Sequence, residues 1–403
     1  MKFLKLKRVW LGLFCLFLIG LLTSCAGTRI LMTTAPSTPK GAIATPALTA
    51  LSKTDWENQK NQIQLSLEKE VYGIMPKDFR TTLMSSRPIK EHEFKANIEE
   101  ITVKTIRSET YKAIIVTPKN SGAPLPIIMT ENFCPNHSVI PANDISKPVN
   151  AYFDCDTESL MGNVFGYFFG RYIRTPPVDL IMEHGYALAV IYPSETFPDN
   201  AARFEPHRHK APSPSYPWGA VAAWAYQFSS LSDYLKSDGR FSKTIAYGHS
   251  RYGKSALVAA AYDDTIDGAI AHQSGTGGAS LSRNKKGETV AAITEGYPHW
   301  FTPAYKEDTL TIDQHHLLAL IAPRPILLGN AKRDVWSDPE GAFRAAKGAA
   351  PAYAIHGSAG LRQSKLTEFD PSADIAFWMR PGTHGVVTED WPAFLEFMDA
   401  HFK

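Results

Sequence analysis

The stretch Thr244-Ile245-Ala246-Tyr247-Gly248-His249-Ser250-Arg251-Tyr252-Gly253-Lys254-Ser255-Ala256 constrains this chain more than any other. A short β-prone run ends at Gly248, a serine occupies the turn, and an alanine-rich helical pattern begins at once. This is the strand–turn–helix setting that holds a nucleophilic serine exposed on a strained turn, with glycines relieving the crowding around it. The spacing is Gly-x-Ser-x-x-Gly rather than the usual Gly-x-Ser-x-Gly, with Arg251 directly after the serine and Lys254 four residues on. A nucleophilic serine needs no cation there, so the departure bears on what the site handles.

The rest of the chain fits a parallel sheet. Apolar, β-branched runs at Tyr111–Thr117, Leu125–Thr130, Tyr186–Tyr192, Thr244–Tyr247, Gly268–Ala271, Pro325–Leu328 and Ile375–Met379 read as strands. Helical patterns at Gly219–Leu235, Lys254–Tyr262, Gln314–Ile321, Gly341–Ala349 and Trp391–Phe402 alternate with the later ones. Continuous apolar strands separated by helices predict a mostly parallel central sheet with helices on both faces, a three-layer α/β sandwich of the α/β-hydrolase type. Residues 51–104 carry mixed signals and are expected to wrap the sheet edge. The stretches 193–217 and 274–311 read as long loops, a length that usually builds a binding site.

The N-terminus is a separate matter. Lys2, Lys5, Lys7 and Arg8 precede an almost uninterrupted apolar run from Val9 to Leu22, which reads as an export signal. It ends in Leu22-Thr23-Ser24-Cys25, which resembles a bacterial lipobox with Cys25 as the acylated residue. The expected organisation is a signal peptide at 1–24, a flexible tether at 25–50 rich in Thr, Pro, Ala and Ser, and a catalytic domain at 51–403. Alanine after the cysteine favours the outer membrane, on either face, with attachment through the lipid anchor. Without residues 1–24 the chain's 42 basic and 40 acidic groups become 38 and 40, so its apparent basicity belongs to the signal. No Lys/Arg block points to nucleic acid. Two cysteines remain, Cys134 and Cys155, and an oxidising compartment allows either a disulfide or two buried thiols.

Ligands of such sheets bind beyond the carboxyl ends of the strands. Three residues stand there in the order Ser…Asp…His: Ser250, Asp334 after the strand Pro325–Leu328, and His384 after the strand Ile375–Met379. A serine hydroxyl needs an imidazole to take its proton and a carboxylate to fix the tautomer of that imidazole. Asp338, in the same loop as Asp334, competes for the acid role. The N–H of the residue after the nucleophile normally helps hold the oxyanion, and here that residue, Arg251, adds a guanidinium.

The segment Gly248 to Lys254 resembles the nucleophile motif of the glucuronoyl esterases, carbohydrate esterase family 15, especially bacterial members. Gln273-Ser274-Gly275-Thr276-Gly277-Gly278, Pro298-His299-Trp300-Phe301, His316 to Pro325 and Asp334-Val335-Trp336-Ser337-Asp338-Pro339 extend the resemblance, in the family's order, from about Tyr111 to the C-terminus. It implies Ser250 as nucleophile, His384 as base, Arg251 as oxyanion stabiliser, and contact of Lys254, Glu288 and Trp336 with the glucuronoyl sugar. The implied substrate is the 4-O-methyl-glucuronoyl ester that joins xylan to lignin alcohols; separately, a monomer without a cofactor is expected.

One position departs from the family. Many relatives, fungal ones especially, carry a catalytic glutamate where this chain has Gln273, which cannot ionise. The acid is therefore expected from Asp334, and replacing Gln273 by alanine is expected to matter little beside Asp334→Asn. A carboxylesterase of other acyl preference, on acetylated or feruloylated polysaccharide, and a glycan-binding lipoprotein on a degenerate scaffold are the competing readings. No zinc-type motif is present, and His207, His209 and the pair His315-His316 are weak metal candidates, so no metal is expected.

Overall fold

The computed structural model describes residues 45–50, 52–122, 124–149, 155, 166 and 169–403. The export signal, Cys25 and most of the tether lie outside them. Residues 45–50, placed in the tether by composition, instead pack on the domain. Ala50 N–H donates to the Gln59 side chain, Gln59 donates to Thr49, and Leu48 and Ala50 rest against the core. Among the described residues no helix is long and apolar enough to cross a membrane.

Nine strands form one sheet in the order β1-β2-β3-β5-β4-β6-β7-β8-β9. They are β1 Thr81–Ile89, β2 Ala96–Thr105, β3 Thr110–Pro118, β4 Leu125–Glu131, β5 Ala187–Ile191, β6 Phe241–His249, β7 Gly268–His272, β8 Ile326–Ala331 and β9 Ile375–Arg380. From β5 to β9 neighbours run parallel, whereas β1, β2, β3 and β5 pair antiparallel. The parallel half is apolar because helices cover both its faces, and every residue of β5 and β7 is buried. The seven expected strands and five expected helices are present, and the α/β-hydrolase architecture follows from them.

Three expectations need correction. Residues 51–104 do not merely wrap the edge but supply a helix, Lys53–Leu67, the edge strand β1 and nearly all of its neighbour β2. The sequence signal of β1 is weak because most of the strand is exposed, and an edge strand tolerates Pro88. The two long loops hold short helices, Ala201–Arg208 and Val290–Gly296, capped by the side chains of Asn200 and Thr289. The helix Pro339–Ile355 runs past Ala349 and through Pro351.

Candidate active site

The turn after β6 explains its glycines. Ser250 adopts φ 56° and ψ −120°, a backbone conformation that costs a non-glycine residue about 1–3 kcal/mol. Its N–H is spent on the His272 carbonyl at 2.8 Å, which ties the turn to β7. A side chain at Gly248 would place Cβ 1.9 Å from the Tyr252 carbonyl oxygen, so the next helix can cross the strand end only over a glycine. The helix Arg251–Tyr262 starts immediately, which leaves the Arg251 N–H among its unpaired first donors.

Ser250, Arg251, Lys254, Glu288, Asp334, Trp336 and His384 all line one cleft of about 440 Å³, within the range of small-molecule sites. The structure thus brings together every sequence-predicted site residue it describes. His384 Nδ1 lies 2.8 Å from Asp334 Oδ2, and Asp334 is 1% exposed. Asp338, its competitor, faces elsewhere. Its carboxylate accepts from Gly341 N–H at 2.9 Å, capping the helix Pro339–Ile355, and from Lys286 N–H at 3.3 Å, with Lys285 Nζ 3.8 Å away.

Arg251 is paired as well as placed in the cleft. One guanidinium nitrogen binds Asp199, which also lies 2.9 Å from His299 Nε2 and accepts from Trp300 Nε1 at 2.8 Å. The guanidinium carbon sits 4.7 Å from the Trp300 ring centre, 5.4 Å from that of Phe133 and 5.5 Å from that of Tyr297. These rings hold the cation flat without consuming its donors. Arg251 Nε is buried with no hydrogen-bond partner among the described residues. Burial alone would raise the Asp199 carboxyl, but Arg251 and the His299 and Trp300 hydrogen bonds outweigh it and hold its pKa down at about 2.

Lys254 is buried, and its Nζ donates to the carbonyls of Ser274 and Thr276, the latter at 2.7 Å. Burial, partly offset by Glu288, brings its pKa down to about 7. Burial raises the Glu288 carboxyl in turn, against the pull of Lys254 and a hydrogen bond with the Trp336 side chain. The apolar wall comprises Phe133, Phe169, Ile173, Tyr297 and Trp300. Cys134, next to Phe133, forms a disulfide with Cys155, which settles the choice the sequence left open.

Four contributors escaped sequence reading. Asp199 lies in a loop with no motif. His249 lies inside the nucleophile motif yet has no recognised role there. Its ring is 4.6 Å from that of His384, and its Nδ1 is 3.2 Å from His272 Nδ1. Burial, and then the two neighbouring histidines, push its imidazole well below its usual range, so it stays neutral. The pair Arg380 and Asp390, 2.8 Å apart and fully buried, stiffens the loop that carries His384. Among the described residues no cluster of His, Cys, Asp and Glu is arranged to hold a metal ion.

Comparison with known proteins agrees with this geometry. A family model described as glucuronyl esterase, fungi, matches residues 213–357. The carbohydrate esterase MZ0003 of an unknown prokaryotic organism is 32% identical over 376 residues, 87% of this chain and 86% of its own. A 4-O-methyl-glucuronoyl methylesterase of Hypocrea jecorina is 31% identical over 145 residues, 32% of this chain and 31% of its own. Among solved structures, a promiscuous esterase of carbohydrate esterase family 15 from a marine bacterial metagenome superposes with a TM-score of 0.76 at 30% identity, covering 91% of this chain and 98% of its own. A glucuronoyl esterase from Solibacter usitatus gives 0.76 at 27% identity, covering 92% and 99%. With a relative this similar over nearly the whole domain, and with that domain's α/β-hydrolase sheet, the chain belongs to carbohydrate esterase family 15, the glucuronoyl esterases, and is a carboxylic ester hydrolase.

Proposed function

We propose that this protein hydrolyses 4-O-methyl-glucuronoyl esters between xylan and lignin alcohols through a Ser250–His384–Asp334 triad, with Arg251 assisting the oxyanion. The observation that carries the proposal is the 2.8 Å contact of Asp334 with His384 in the cleft that Ser250 enters on a strained turn. Ser250 Oγ attacks the ester carbonyl while His384 takes its proton, and Asp334 orients and balances the imidazolium. The tetrahedral oxyanion meets the Arg251 N–H and the adjoining guanidinium. Its collapse breaks the ester C–O bond, and the proton on His384 goes to the departing alcohol. Water, deprotonated by His384, then attacks the acyl-serine and releases the glucuronic acid.

Sugar contact by Lys254, Glu288 and Trp336 is supported by their convergence on one side of the cleft. Protonated Lys254 has three N–H donors, two of them spent on Ser274 and Thr276, and so keeps one for a sugar hydroxyl. The neutral amine has only two and keeps none. Since this group titrates near 7, KM for a glucuronate ester is expected to rise from pH 6 to pH 8, and Lys254→Met should show a high KM at both. A flat wild-type KM would show that Lys254 keeps one protonation state over this range, and a wild-type KM in Lys254→Met removes Lys254 from the sugar site.

The function itself is tested with methyl, allyl and benzyl glucuronates beside matching galacturonates and p-nitrophenyl acetate. Preference for the acetate or the galacturonates overturns the proposed acyl specificity. We further propose that Cys25 is lipidated and anchors the protein to the outer membrane, which the lipobox-like segment supports. Cys25→Ser should then release the enzyme from the membrane fraction, and retention there speaks against the anchor.

A further inference from the structure

Gln273 has no charge to offer a triad, yet its side chain is built into one. It is 1% exposed, its backbone is held at φ 49°, and its N–H donates to the Gly329 carbonyl of β8 at 2.7 Å. Its amide nitrogen donates to the Thr383 carbonyl at 3.2 Å, and its amide oxygen accepts from the Gly385 N–H at 2.8 Å. Those two groups are the backbone neighbours of His384 on either side. The loop needs such a hold, because Gly382 and Gly385 adopt φ 103° and 151° and place glycine's conformational freedom around the histidine. Arg380 grips the same loop from within, through the carbonyls of Pro381, Thr383 and Gly385, and leaves the Gly385 N–H to Gln273.

We propose that Gln273 is a positioning residue for His384, acting as a two-point clamp that fixes the base relative to Ser250 and Asp334. The proposal rests on reading His384 as the base. An amide suits the task because one planar group donates and accepts at once. An ionised glutamate accepts only, and asparagine is a methylene shorter. Gln273 also joins three strand ends: it follows β7, its N–H binds β8, which leads to Asp334, and its side chain holds the loop after β9. The expectation from charge alone, that Gln273 matters little, overlooks these bonds.

The test compares Gln273→Met, which keeps the length and removes both hydrogen bonds, with Gln273→Glu, which keeps the acceptor alone. On a benzyl glucuronate, Gln273→Met is expected to lower kcat by on the order of 10²-fold, as misplaced catalytic groups do, with KM within about twofold of wild type. Gln273→Glu should fall between, at roughly tenfold for one lost donor. Fluorophosphonate labelling of Ser250, which requires the base but no sugar contact, should slow in parallel. Wild-type kcat in both variants, or a rise in KM matching the fall in kcat, overturns the clamp. If Gln273→Met does not fold, Gln273→Leu, which also removes both hydrogen bonds and adds no charge, decides by the same criteria. His384→Ala is the control: if it stays active, the base assignment fails, whereas an inactive His384→Ala beside fully active Gln273 variants refutes the clamp alone.

Discussion

Asp334→Asn is expected to lower kcat on glucuronate esters by about 10⁴-fold, the scale seen when a triad carboxylate becomes an amide of the same shape. The carboxylate accepts from His384 Nδ1 at 2.8 Å, which leaves Nε2 free to take the serine proton. An asparagine in its place can present an N–H to Nδ1 and stabilise the opposite tautomer, with the proton on the wrong nitrogen. Asp338 does not substitute for it, being committed to the helix cap and to Lys285. Asp338→Asn keeps an oxygen for the cap but removes the charge facing buried Lys285, so it should lower the melting temperature while leaving kcat within about threefold of wild type. Steady-state kinetics on both variants decides the matter: equal losses, or a larger loss in Asp338→Asn, would reverse the assignment.

Asp199→Asn should have the largest effect on stability. It leaves the part-buried Arg251 guanidinium without its counter-charge, a change that costs up to about 3–5 kcal/mol. The sign of its pH dependence follows from the shift. In the folded state Asp199 titrates at about 2, below its ordinary 3.8, so its contribution is complete above the unfolded value and is lost as pH falls through the folded one. Between about pH 4 and pH 2 the wild type should lose about 2 kcal/mol that Asp199→Asn has already lost. Urea unfolding at several pH values measures both, and wild-type stability in the variant at pH 7 would refute the argument. The double variant Asp199→Asn/Arg251→Met removes both charges while leaving an amide oxygen to accept from Trp300 Nε1, and should recover much of the stability. It should remain about 10²–10³-fold slower, because the oxyanion has lost a donor.

The division between what could be read and what could not is itself physical. The seven strands read from sequence are those whose burial or pairing imposes a run of apolar residues, and β5, Ala-Leu-Ala-Val-Ile, is the clearest. The edge strand β1 escaped because most of it is exposed, and β2, between β1 and β3, escaped because its buried residues are interspersed with exposed and half-buried ones rather than forming one apolar run. Ser250 and Arg251 were legible because a strained turn demands a local pattern, with Gly248 forced by the approach of Tyr252. Asp199 left no such trace. It reaches Arg251 across 52 residues from a loop whose shape depends on rings packed around it.

By itself the sequence determined the parallel sheet, the nucleophile turn, the order Ser250…Asp334…His384 and the family resemblance, all of which rest on local spacing and periodicity. Only the tertiary structure decided that Asp334 rather than Asp338 meets His384, that Arg251 is held by Asp199 between aromatic rings, and that Gln273 brackets the histidine through bonds to residues 110 and 112 positions away. These are hydrogen bonds between side chains and loops from different strand ends. Their formation depends on the register and crossing of the strands, and local spacing carries no record of either.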